Sequence, residues 1–142
     1  MRRLLGVVFV IILIIGGAHL LNTSSEPDSV KNAITAQDQI NTDNTTLAKL
    51  VGANNPDLAK IYSEIQTFSD DINALAADEN TPSSEINKNI QQLVSDDQQY
   101  LDDVKNFISN PTQAQLATFQ PDLDAVNTDV KTGNALIKRL YP

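Results

Sequence analysis

The sequence predicts an all-α protein: an up-down-up-down antiparallel four-helix bundle behind an N-terminal hydrophobic helix. Three observations predict it. Past residue 25, apolar side chains recur every three or four positions over long stretches, the spacing of a helix with one buried face. Proline marks the chain at NNP 54–56, NTP 80–82 and NP 110–111, and no strand-like alternation lies between those marks. Glycine is scarce, with only Gly52 and Gly133 remaining beyond the apolar run. Long helices joined by short connections leave neighbours antiparallel.

Residues 1–25 form the first unit, a membrane segment with a short linker. Leu4 to Leu21 carries no Asp, Glu, Lys or Arg, and Arg2 and Arg3 precede it. Its length of 18 residues falls between a secretory h-region of about 7–15 and a spanning helix of about 17–25. Gly16 and Ala18 offer small residues for a cut before His19. Cleavage there would leave Leu20 and Leu21 at a new, exposed N-terminus, and LLGVVFVIILII is dense in Val, Ile and Leu. Retention as an anchor is therefore the preferred reading, with secretion after cleavage near Ala18 as the alternative. Either way Arg2 and Arg3 stay inside, and the acidic flank Glu26 and Asp28 goes out. The expected location is extracytoplasmic, with the N-terminus cytoplasmic.

The second unit is the bundle, residues 26–142, with helices expected at about 26–51, 56–78, 82–109 and 111–139. The first starts with Ser25 and Asp28 as a capping box and stops at Gly52. Asn55, Thr81 and Asn110 are the expected N-caps of the others, each followed by proline at the first helical position, and Gln113 completes a box with Asn110. The second helix buries Leu58, Ile61, Ile65, Phe68, Ile72 and Leu75. The third buries Ile86, Ile90, Leu93, Tyr100, Val104 and Phe107, widened by Val94, Leu101 and Ile108. The fourth buries Leu116, Phe119, Leu123, Val126, Val130, Gly133, Ile137 and Leu140. Pro121 removes a backbone donor inside that last segment, so a kink or brief break is expected near Phe119–Gln120.

The first helix has the weakest seam. Val30, Ala33, Ile40, Leu47 and Val51 keep the spacing, but Gln37 and Asn44 occupy core-type positions. Buried amides of this kind fix register at a cost in stability, or lie at the seam edge. The sharper alternative makes this helix an opening element, with Gln37, Asn44 and Asp97 as a seam that admits a partner helix or ligand. Asp97 is the one acid on the seam of the third helix, where pairing with a lysine or rotation to the edge is expected.

Composition narrows the function. Net charge is -8, and from His19 onward 8 Lys and Arg stand against 18 Asp and Glu, giving -10. Such a surface repels phosphate backbones, so no nucleic-acid partner is expected. Cysteine is absent, which removes disulfides, zinc thiolates and thiol catalysis. The single histidine, His19, cannot build a dyad or a Glu-x-x-His metal pair within the bundle. The Asp70-Asp71, Asp96-Asp97 and Asp102-Asp103 pairs point about 100° apart on a helix and do not converge on one ion. DLDAVNTD 122–129 lacks the ligand and the glycine of a calcium loop. Neither G-x-S-x-G, S-x-x-K nor a glycine-rich phosphate loop occurs. No catalytic residue, metal or cofactor is therefore expected.

The function expected is a non-enzymatic interaction or structural module at the cell envelope, tethered through residues 4–21 to the membrane and facing an unidentified protein partner. A carrier that buries an apolar ligand in the bundle, with the first helix as its door, is the alternative.

Overall fold

The computed structural model describes residues 25–142, which are all-helical, with no strand among them. Four long helices, α1 Asp28–Val51, α2 Leu58–Ala77, α3 Ser84–Ser109 and α5 Phe119–Leu140, are joined by short connections, the last of which holds the single-turn α4 Gln113–Leu116. The membrane segment expected at residues 4–21 and the cleavage point near Ala18 lie outside the described residues. Among the described residues no helix is long and apolar enough to cross a membrane.

Helix starts differ from expectation in one consistent way. The capping residue follows each proline rather than preceding it. Asp57 accepts a hydrogen bond from Lys60 N, Ser83 from Ile86 N and Thr112 from Gln115 N, in place of Asn55, Thr81 and Asn110. Each of the three capping residues is itself extended, the usual backbone of an N-cap. The residue after proline is free to turn, and each of the three offers a side-chain oxygen. At α4 Thr112 accepts from Gln115 N, and its hydroxyl donates to Gln115 Oε1 at 3.4 Å. At α1, Pro27 is the N-cap without a side-chain bond, and Ser25 instead donates to Tyr141 O at 3.1 Å, tying the start of α1 to the end of α5. Gly52 ends α1 in a right-handed conformation.

The break expected near Phe119–Gln120 falls at Ala117 and Thr118. Pro121 then occupies the first turn of α5, where its missing N–H would have had no intrahelical partner.

α1 packs along α2, α3 along α5, and α2 along α3. On α3 and α5 the partners step in opposite directions: Glu85 binds Arg139, Asp96 faces Asp129, Asp103 faces Asp122, and Phe107 stacks edge-on against Phe119. α3 and α5 are therefore antiparallel. One apolar cluster draws on all five helices, from Val30 on α1 to Ile137 on α5. Phe68, Tyr100, Phe119 and Phe107 form a chain of rings across α2, α3 and α5, with centroids 5.5–6.2 Å apart. Two residues expected in the core are not there: Leu58 and Leu140, in the terminal turns of their helices, are 57% and 37% exposed. Leu58 is the first residue of α2, while the packed face of α5 steps from Ile137 to Tyr141 and leaves Leu140 turned outward.

Candidate functional site

Gln37 and Asn44 are two turns apart on α1, and both are buried, at 0% and 6% exposure. Asp97 on α3 is buried as well, at 2%. None of the three lies at a seam edge. All face the interior because they continue the spacing of their apolar neighbours: Asp97 stands four residues after Leu93 and three before Tyr100.

The structure brings these residues together across α1 and α3. Tyr100 donates its hydroxyl to Asn44 Oδ1 at 2.8 Å. One heptad toward the start of α1, Gln37 lies close enough to Asp97 to favour its carboxylate. That contact is incomplete. Gln37 Nε2, Gln37 Oε1 and Asp97 Oδ2 are buried, and none closes a hydrogen bond of normal geometry. The expected lysine for Asp97 is missing, and rotation to the edge does not occur. Burial pushes its carboxyl up to about 8, helped by the nearby Asp96 and Asp129 and opposed by the Gln37 amide. Burial and the Asp97 and Asp122 charges also raise the Tyr100 phenol.

A second group of acids pairs across helices in a way the sequence reading does not foresee, although all but Asp43 and Glu64 lie in stretches it weighed as metal sites. Asp43 on α1 faces Asp71 on α2, while Asp129 and Asp122 on α5 face Asp96 and Asp103 on α3. Each pair sits within hydrogen-bonding reach. Burial first, and the facing carboxyl second, push Asp43 and Asp129 up to about 7 and Asp122 to about 6. Glu64, also on α2, is raised by burial and by the Asp71 charge. Asp96 and Asp103 do share one face of α3, but each meets a carboxyl of α5 rather than a common ion. Asp122 and Asp129 belong to the stretch that fails as a calcium loop.

These acids share a spacing that could have revealed them. Asp43, Asp71, Asp96, Asp103, Asp122 and Asp129 each stand three residues after one buried residue and four before the next. Ile40 and Leu47 flank Asp43, and Phe68 and Leu75 flank Asp71. In paired helices such positions border the apolar seam, where opposite charges usually meet. Asn89 stands at the same kind of position, between Ile86 and Leu93, and donates to Asp129 O at 2.9 Å.

Chemically, the site can hold protons and order polar groups. No group of three or more His, Cys, Asp or Glu side chains among the described residues is arranged to hold a metal ion. A recess bounded by Val30 and Ile34 of α1, Asn89 and Ile90 of α3 and Gly133 of α5 has room for about one water molecule. No family model matches the chain, and no curated protein or solved structure matches it either.

Proposed function

We propose that residues 26–142 close as an up-down-up-down antiparallel four-helix bundle, held at the outer face of a membrane by residues 4–21. In this reading it is a non-enzymatic interaction or structural module at the cell envelope. The observation that carries it is the filled interior. Leu47, Leu75, Leu93, Leu101 and Phe119 are wholly removed from solvent, and the recess between α1, α3 and α5 takes no more than about one water. A domain whose apolar faces are spent on one another has its acidic exterior left for recognition. Support for the bundle itself comes from the opposed steps of α3 and α5 and from the Ser25 contact between the two chain ends.

The second reading, a carrier that opens along α1 to bury an apolar ligand, draws on a different observation. The unbonded Gln37 amide gives α1 a polar cost inside the seam that an apolar residue would not carry. One experiment separates the two. The module predicts no uptake of an apolar dye by the whole chain, and pull-down of a partner that is lost on reversing surface charges. Saturable dye uptake that Gln37→Leu abolishes would replace the module with the carrier.

A further inference from the structure

Three carboxyl pairs bridge helix interfaces, and each is built the same way. In every pair a glutamine four residues upstream fixes one acid: Gln39 donates to Asp43 Oδ1 at 3.1 Å, Gln92 to Asp96 Oδ1 at 3.1 Å and Gln99 to Asp103 Oδ1 at 3.3 Å. The acid so held faces a second carboxyl on the neighbouring helix: Asp71, Asp129 and Asp122 respectively. Every pair also contains one buried carboxyl oxygen that no donor reaches, namely Asp43 Oδ2, Asp129 Oδ2 and Asp122 Oδ2. Two carboxylates at such a distance repel, and a buried acceptor without a donor is costly. A single proton shared within the pair removes both penalties, because the protonated acid donates to its ionised partner.

Among the described residues no cation stands against these pairs to do the same work. Asp43 meets Asp71 and Glu64 from α2. Asp129 meets Asp96 and Asp97 from α3, and Asp122 meets Asp103, Asp96 and the Tyr100 hydroxyl from α3. The ion pairs among the described residues go to other acids: Lys31 to Asp28, Lys60 to Asp57, Lys105 to Asp102 and Arg139 to Glu85.

We propose that these pairs are proton-sharing clasps that close α1 on α2 and α3 on α5 in acid and release them as the pH rises. The inference rests on the helix contacts alone and holds whether or not the chain is tethered. The direction follows from proton counting. An acid held above its unfolded value, near 4, binds more protons folded than unfolded. Its contribution to stability is therefore greatest in acid and is lost as pH rises through about 6 to 7, the native range of Asp122, Asp43 and Asp129. Each pair that opens loses its proton to solvent, leaving two carboxylates side by side.

The test is thermal unfolding of the whole chain in a non-ionic detergent, followed by circular dichroism from pH 5 to pH 8 with EDTA present. The expected result is a melting temperature about 10 °C or more lower at pH 8 than at pH 5. In the triple variant Asp71→Asn/Asp122→Asn/Asp129→Asn an amide donates to the facing carboxylate at every pH, and at least half of that slope should vanish. A control, Asp28→Asn/Asp70→Asn/Asp124→Asn, removes the same charge from the exposed surface and should keep the slope. A wild-type melting temperature that is flat or rises with pH overturns the proposal, as does a control that flattens the slope equally. So does millimolar calcium or magnesium restoring the pH 8 melting temperature of the wild type, which would put a cation where the proton is assigned. Should the triple variant fail to fold, carbon-13 titration of the wild-type Asp carboxyls decides alone. Three or more should titrate between pH 6 and 8, and a set all titrating near 4 refutes the clasps.

Discussion

The hydroxyl of Tyr100 on α3 and the amide oxygen of Asn44 on α1 meet at 2.8 Å in the interior, 56 residues apart in the chain. Each satisfies the other where water cannot. Tyr100 also touches the rings of Phe68 and Phe119, so this bond fixes the pivot of the aromatic chain.

Asn44→Leu should therefore destabilise the fold by about 1–3 kcal/mol, since it strands a buried hydroxyl. Tyr100→Phe should cost about 1 kcal/mol. The double variant should lose less than the two singles together, because neither polar group is then left alone. Urea unfolding of the four proteins measures the coupling. Strictly additive losses would mean that the bond contributes nothing.

Gln37 should behave in the opposite way. Its amide is buried, and neither of its polar atoms closes a hydrogen bond. Gln37→Leu keeps the volume close and removes an unmet desolvation cost, so a gain of about 1–2 kcal/mol is expected at pH 6. Measuring at pH 6 keeps Asp97 largely neutral, below its native value of about 8. A loss of stability would show that the amide is satisfied in solution by a group such as water.

Asp97 gives a pH-resolved test. Burial lifts its carboxyl to about 8 in the folded state, against about 4 unfolded. Folded protein thus holds the extra proton between those values, and the stability it contributes falls as pH rises toward 8 and is gone above it. Asp97→Asn removes the titration. The variant should match the wild type near pH 4 within about 1 kcal/mol and exceed it at pH 9 by several kcal/mol, up to about 5. Equal stabilities of the two proteins at both pH values would place Asp97 in water rather than in the core.

The positions of the caps predict a contrast between neighbours. Asp57→Ala and Ser83→Ala should each cost about 1 kcal/mol, for they remove the acceptors of Lys60 N and Ile86 N. Asn55→Ala, two residues before Asp57, should change stability by less than about 0.5 kcal/mol. Thermal melts of the three variants check the order.

Most of the helical layout was legible because it is written along single helices. The steps from Ile61 to Leu75 and from Ile86 to Phe107 need no knowledge of any partner, and the structure buries those residues. Leu58 differs from expectation because periodicity does not say where the packed layer starts, and Leu140 because a step of three or a step of four from Ile137 both fit the pattern and the helix packs Tyr141 instead. The caps shifted because Asp57, Ser83 and Thr112, each just past a proline, carry capping oxygens of their own, and spacing alone does not say which of two neighbours caps. The carboxyl pairs belong to a different level. Asp96 and Asp129 meet only because α3 and α5 lie at one particular register and rotation, and neither is stated in either helix. The seam-flanking spacing was visible throughout, yet like charges at such positions read as solvated until the facing helix is known. Asn44 looked interchangeable with Gln37 for the same reason: Tyr100, which separates their fates, lies on another helix.

The central claim is that a closed helical domain stands outside the cytoplasm on an uncut N-terminal anchor, and intact mass measured on membrane and soluble fractions of cells tests it most directly. The account predicts a mass that includes residues 1–25, recovered with the membranes and released only by detergent. A soluble protein whose mass begins at His19 would contradict it.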